Sequence, residues 1–366
     1  MRDPDIEFHR FFNRENLRQE EYERHPAKLD LDKIDLNLAR HLAAIKKLIN
    51  DMFAENTHRI QTPSGSVVLH LDYIAKPLPP IIRFANAISF TDGEFFYVGV
   101  TIDMVELLNA ICGSLAQSSK TIEVLGLKVE NSTQRDVLLA CLFLVQIQFI
   151  IDHEIGHHFH GHSTKRGPTS FNSEFMCELP PETEDHMENQ GREVDADGYA
   201  IHMMAGNFYQ QNTAAKLIGR LGPSTLSHDE FLTRFLLLCI ASYLILRPQN
   251  RFNAETVRKP THPFGTMRLN VVMTDFAGWA DQFKPDLLPY LTQATLDQMN
   301  AAIQATSPDS ENFQSWALEG QFLRTDKGEA YRKELYEFRK KEREKFKDRA
   351  WGIRKDAADP EKQYHS

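Results

Sequence analysis

The sequence predicts an α+β fold, predominantly helical, with one small antiparallel sheet. Three observations carry that expectation. Apolar residues recur at three- and four-residue steps over long stretches, the period of helices with one buried face. Between residues 66 and 100 the period shortens to two, and β-branched and aromatic residues gather around an Asp-Gly turn signal. Strands and helices do not alternate as they would in a parallel α/β protein.

Taken in order, residues 1–30 are dense in Arg, Glu and Asp, with Phe8, Phe11, Phe12 and Tyr22 scattered among them, which suits a surface helix or a partly disordered arm. Leu38, Leu42, Ile45, Ile49 and Phe53 predict an amphipathic helix from about Ile34 to Ala54. Ser66 to Ile74 reads as a strand, Ile81 to Phe90 follows a proline-rich link (Pro77, Pro79, Pro80), and Phe95 to Val100 returns after Asp92-Gly93. From Thr101 the spacing of Met104, Leu107, Leu108 and Ile111 is helical again.

Gln134 to about His160 is a long apolar helix, ended by Gly161, the residue type that best tolerates a left-handed cap. Ser163 to Gln190 has Pro180-Pro181, an acidic cluster (Glu182, Glu184, Asp185, Glu188) and no period, so a long surface loop is expected, functional or disordered. Arg192 opens another helix through Tyr199, Ile201 and Met204, and Phe231 to Leu246 is a second buried helix stopped by Arg247-Pro248. From Ala330 to Lys355, mixed charge alternates with Tyr331, Leu335, Phe338, Phe346 and Trp351, the pattern of a solvated helix with a thin apolar stripe or of a docking helix. The expected organisation is a helical extension over 1–60, a central domain over 61–285 and a charged helical extension over 286–366.

The 366 residues are 42% hydrophobic and 25% charged, enough for a sizeable core. A net charge of −9 argues against a general nucleic-acid binder, which needs a basic face. Cys112, Cys141, Cys177 and Cys239 are far apart and form no C-x-x-C, which suits reduced thiols in a cytoplasmic protein. The charged start at Met1-Arg2-Asp3-Pro4-Asp5 has no apolar signal region. Val137–Ile151 and Phe235–Leu246 fall short of the roughly 18–20 residues of a membrane span, so buried core helices and no transmembrane span are expected.

At the end of the long apolar helix stands His153-Glu154-Ile155-Gly156-His157, an H-E-x-x-H motif. Helical pitch puts His153 and His157 on one face, where two neutral imidazoles can bind one zinc ion. Glu154, beside the first of them, can accept a proton from a water activated by that metal. A catalytic zinc takes three protein ligands. His160 is one candidate, yet a straight helix rarely brings a third residue to the same ion, and the H-E-x-x-H-x-x-G-x-x-H pattern fails because His160 and Ser163 stand at its last two positions. Glu193, in Glu193-Val194-Asp195-Ala196-Asp197, is the other. Asp197, one turn on, could accept the N–H of a ligand histidine, with His153 favoured. The plainer meaning of these carboxylates is an acidic helix start in solvent.

With these residues the chain resembles the gluzincin metallopeptidases, the clan of the CAAX prenyl protease and the HtpX-like heat-shock proteases, which carry H-E-x-x-H on one helix and E-x-x-A-D on the next. His153 to His162 repeats the longer H-E-x-G-H-x-x-x-G-H form; Asn86-Ala87, a Gly-bearing turn and strand Phe95–Val100 before a helix look like another segment of that family; and Thr261-His262-Pro263 with Arg268 has the spacing of T-H-P-x-x-x-x-R. The resemblance covers roughly residues 80 to 275. It implies a zincin-like core, zinc held by His153, His157 and Glu193, and Glu154 as general base then general acid. It further implies Asp197 behind a ligand, His262 as an oxyanion donor and Arg268 packing or pairing nearby; a surface His-Pro turn is the plainer reading of His262. Many clan members are membrane-embedded, and neither that location nor prenylated substrates are carried over.

The expected activity is that of a zinc endopeptidase binding a protein or peptide substrate in extended form, with Phe95–Val100 as the strand along which it pairs. His158 and His162 are expected as a flank and a helix-end partner rather than ligands. The rivals are a catalytically silent or gated zinc protein using this core as a scaffold, and a regulatory or defence peptidase held inactive until triggered, with a regulatory partner on the charged termini. Glu154 argues against the silent form, because a purely structural site does not need it.

Overall fold

The computed structural model of the protein describes residues 3–8, 36–55, 61–62, 65–66, 68–74, 87–91, 95–163, 186–210, 219–247, 252–260, 262–307 and 311–347. The fold is α+β and predominantly helical. A helical turn over residues 4–8 comes first. Helix α1, Leu36–Glu55, follows and buries Ala39, Leu42, Ile45 and Ile49, an i, i+3, i+4 stripe. Three strands make the sheet: β1 (Val68–Ile74), β2 (Ala87–Thr91) and β3 (Phe95–Thr101). A two-residue ladder, Gln61–Thr62 with Gly65–Ser66, precedes them.

β2 and β3 form the expected hairpin, Thr91 opposite Phe96 and Ala87 opposite Val100, while the turn residues 92–94 lie outside the described residues. β1 instead joins β3 in parallel, Val68 opposite Phe95 and Ile74 opposite Thr101. The order is therefore β1-β3-β2, and the sheet is mixed where an antiparallel one was expected. A connection as short as the three residues between β2 and β3 forces the two strands to run antiparallel, whereas the proline-rich stretch between β1 and β2 is long enough in sequence to skip a strand position. On the outer side of β1, the Asn50 side chain accepts from Leu71 N–H at 2.7 Å and donates to Leu71 C=O at 3.2 Å.

Helix α2 (Ile102–Gln117) leaves the sheet under a Thr101 cap, whose hydroxyl accepts from Met104 N–H, and a short α3 (Ser119–Val124) follows under Ser118. Helix α4 is Ser132–Phe159, capped by Asn131. By length and composition it could cross a membrane, but 78% of its apolar window is buried by the rest of the chain. Its one buried amide, Gln146, donates to Ser242 Oγ at 2.7 Å and accepts from Cys112 Sγ at 3.3 Å, which removes the cost of a polar group in the core. Cys112, Cys141 and Cys239 are buried thiols, and Cys177 lies outside the described residues.

Helix α5 (Met187–Ala205) starts five residues before the expected Arg192. Tertiary contacts explain the difference: Met187 is buried, and the Gln190 amide donates to the Val257 and Pro260 carbonyls at 2.9 and 2.7 Å. The expected loop over 163–190 therefore gives way to helix from Met187, and its residues 164–185 lie outside the described residues. Helix α6 (His228–Leu246) is buried along nearly its whole length. After it come α7 (Gly265–Phe283), α8 (Gln293–Thr306), α9 (Glu311–Leu323) and α10 (Asp326–Phe346).

The main apolar cluster runs from Leu42 on α1 through α2, α4 and α6 to Trp316 on α9. A second joins Met187 and Val194 of α5 with Met267 and Val271 of α7, Phe322 of α9, and Tyr331 and Leu335 of α10. Tyr331 and Leu335 of the expected α10 stripe are thus spent inside the chain; the residues of the expected tail beyond 347 lie outside the described residues.

Candidate metal centre

Helices α4 and α5 cross at Gly156. A Cβ there would stand 3.0 Å from Tyr199 Cβ and 3.2 Å from Ala196 Cα, closer than ordinary carbon contact of about 3.5–4.0 Å. Glycine therefore sets how near the two backbones come. The consequence is a cluster of side chains from both helices.

His153 Nε2 lies 3.2 Å from His157 Nε2 and 3.2 Å from Glu193 Oε2, and His157 Nε2 is 3.5 Å from Glu193 Oε1. Glu154, next to His153, is buried. His262, just before α7, brings its Nε2 to 3.3 Å from Glu193 Oε2. Behind His153, Nδ1–H donates to Asp197 Oδ1 at 2.9 Å. Asp197 is fully buried and takes both Arg268 Nε at 2.8 Å and Nη2 at 2.6 Å, which ties α7 to α5. All seven residues singled out from the sequence (His153, Glu154, His157, Glu193, Asp197, His262 and Arg268) fall in this one place; Thr261 and Asn86 lie outside the described residues. His160, the rival for a third ligand, turns away and puts Nδ1 2.7 Å from Asp195 Oδ2.

The electrostatics follow from these distances. Burial disfavours an imidazolium, but Asp197 and Glu193 outweigh it and raise His153 to about 10. Burial, reinforced by the neighbouring imidazoles, pushes His157 well below the ordinary histidine range despite Glu193. Burial would raise Glu193, yet His262, His157 and His153 hold it well below the usual carboxylate range. His262 is pushed down to about 4 by burial, with Arg247 and Arg268 adding to it. Without a metal, His153 is thus a cation held between the carboxylates of Glu193 and Asp197; Arg268 pairs with Asp197 alone, so a metal ion bound at His153 Nε2 would take over the charge that Glu193 faces.

His153, His157 and Glu193 form a group whose donor atoms lie close enough to share one ion. Bonds of about 2.0–2.1 Å in a tetrahedron put neighbouring donors about 3.3 Å apart. The separations of 3.2, 3.2 and 3.5 Å fit that edge.

The Schellman turn after α4 has the expected Gly161 at φ +73°, with Gly161 N–H on His158 C=O at 3.0 Å and His162 N–H on His157 C=O at 2.8 Å. His158 is a buried flank: its ring nitrogens meet Tyr97 C=O at 2.9 Å and Ser163 Oγ at 2.7 Å, tying the site helix to β3. β3 itself is the middle strand, paired on both sides, so it offers no edge to an extended peptide as the sequence reading expected. Sequence reasoning also missed Asp195, which meets His160, His162, Arg339 and Arg343. The one available signal was a third carboxylate inside the Glu193–Asp197 segment.

No curated protein and no solved structure matches the chain. Residues 116–284, just under half of it, match the model of the family described as Peptidase U49. That span contains every residue of the cluster, and the similarity supports a peptidase.

Proposed function

We propose that the protein is a zinc-dependent endopeptidase of gluzincin type, with the metal held by His153, His157 and Glu193. The observation that carries this reading is the tetrahedral spacing of those donors on two helices, with a buried glutamate beside the first. When bound, zinc supplies a Lewis acid that activates water and polarises the scissile carbonyl. Glu154 takes the proton of the attacking water and returns it to the leaving amine. His262, neutral because its pKa is pushed down to about 4, donates a hydrogen bond to the carbonyl oxygen as that oxygen gains charge. Asp197 fixes the tautomer and direction of the His153 ring, and Arg268 holds Asp197 in place.

The substrate would be a protein or peptide bound in extended form. Three buried thiols suit a cytoplasmic protein.

Glu154→Gln tests the assignment. The variant should keep its zinc, measured by elemental analysis, and lose cleavage of an unstructured protein substrate by about 10²–10⁴-fold, the usual worth of a general base. Wild-type turnover in the variant would remove Glu154 from the mechanism.

A further inference from the structure

His157 presents one nitrogen to the proposed metal cluster and the other to a second histidine. Its Nε2 faces His153 and Glu193, and its Nδ1 lies 3.3 Å from Nδ1 of His162. Two ring nitrogens in contact can share only one proton, so one donates and the other accepts. For Nε2 of His157 to offer its lone pair to a metal, the proton must sit on Nδ1, which makes His162 Nδ1 the acceptor. The proton of His162 is then on Nε2, and that atom points at Asp195 Oδ2, 3.6 Å away, an electrostatic contact longer than a hydrogen bond.

We propose that His162 is a positioning residue for His157, completing a relay from the metal cluster through Asp195 to the C-terminal helix α10. The inference rests on the metal-centre reading above. Three features of the fold build the relay. The Gly161 turn folds the chain back so that the ring of His162, three residues past the helix, meets the ring of His157. Asp195 is fully buried, and its Oδ1 accepts from Arg339 Nε at 3.0 Å and from Arg343 Nε. Arg339 is itself held by Asp275 of α7 through two bonds of 3.1 and 2.6 Å. The result parallels the first relay, His153–Asp197–Arg268, on the other side of the cluster.

His160, His162 and Asp195 also have the donor types of a metal site. Charge decides against it: two guanidiniums already neutralise Asp195 and would repel a second dication, whereas the first cluster has carboxylates in excess. The assigned function explains why α10, which lies outside the 116–284 match, would be needed by the site.

The test uses the full chain. Zinc affinity is measured by chelator competition for wild type, His162→Leu and His162→Asn, together with the downfield imidazole N–H proton resonances of the zinc-loaded protein. Asparagine places a carbonyl oxygen near the position of the Nδ1 acceptor, and leucine does not. Leucine should weaken zinc binding about 10–100-fold, the usual effect of losing a partner behind a metal-bound histidine, and asparagine should restore it to within about threefold. The His157 Nδ1–H resonance should be present in wild type, persist in the asparagine variant and vanish in the leucine variant. Unchanged zinc affinity in His162→Leu, or equal losses in both variants, would overturn the relay. Zinc-loaded wild type with the His162 proton on Nδ1 would also overturn it, whether or not the variants fold. Absence of zinc binding in wild type, by contrast, would overturn the metal-centre reading beneath it.

Discussion

Replacing Gly156 by alanine puts a methyl group where helix α5 already stands. The new Cβ would lie 3.0 Å from Tyr199 Cβ, 3.1 Å from Tyr199 Cδ1 and 3.2 Å from Ala196 Cα. Tyrosine can swing its ring away from the Cδ1 contact, but Tyr199 Cβ and Ala196 Cα move only with the backbone. Relief of both to about 3.6 Å, within the ordinary contact range, requires α5 to move by about 0.4–0.6 Å. Glu193 rides on the same helix, three residues before Ala196. Its distances of 3.2 and 3.5 Å to the two imidazoles would widen toward about 3.6–3.8 and 3.9–4.1 Å, off the roughly 3.3 Å edge that zinc requires.

The folding cost of overpacking, about 1–3 kcal/mol, is partly offset by the gain of about 1 kcal/mol for alanine over glycine in a helix. Stability should therefore fall by no more than about 2 kcal/mol, while zinc affinity falls about tenfold or more. Chelator competition reads the affinity, and thermal unfolding in EDTA reads the metal-free fold. A variant with wild-type zinc affinity and a raised Tm would show that propensity alone acts at this position and would refute the argument from close approach.

Two further substitutions separate the supports of the site from its chemistry. Arg268→Met leaves the fully buried Asp197 carboxylate without its guanidinium and should cost about 3–5 kcal/mol in urea unfolding of the metal-free protein; a loss under about 1 kcal/mol would mean that the pair is not needed for folding. Glu319, buried on α9, has its pKa raised by burial, although it accepts from Thr266 N–H at 2.9 Å and Thr266 Oγ at 2.8 Å. An acid whose folded pKa is raised binds its proton more tightly when folded, so stability falls as pH rises from the unfolded value near 4.5 through the folded one. Glu319→Gln should therefore gain on wild type, in Tm, as pH rises across that window; a gap independent of pH would contradict this.

Much of the site could be read from the chain because its parts obey local rules. His153 and His157 are one helical turn apart, as are Glu193 and Asp197, and Gly161 sits where a helix must end in a left-handed residue. The hairpin of β2 and β3 is likewise written in its turn residues. What escaped depends on contacts between distant segments. No residue in the link after β1 states that β3 will be inserted beside it, and hence that Phe95–Thr101 will be central rather than an edge. The early start of α5 needs Gln190 to meet carbonyls near residue 260 and the Tyr331 hydroxyl, at 2.5 Å.

Asp195 reads locally as one more carboxylate on a polar helix, and only the packing of α10 reveals it as a buried anchor. The same packing turns the mixed-charge tail from a solvated stripe into a helix whose Arg339 and Glu342 are buried, Glu342 paired with Arg192.

Equilibrium zinc binding to metal-stripped protein tests the central claim most directly. The account predicts about one tightly held zinc per chain in wild type, with that binding lost in His153→Ala, His157→Ala and Glu193→Ala. Undiminished binding in Glu193→Ala, or no specific zinc in wild type, would contradict it.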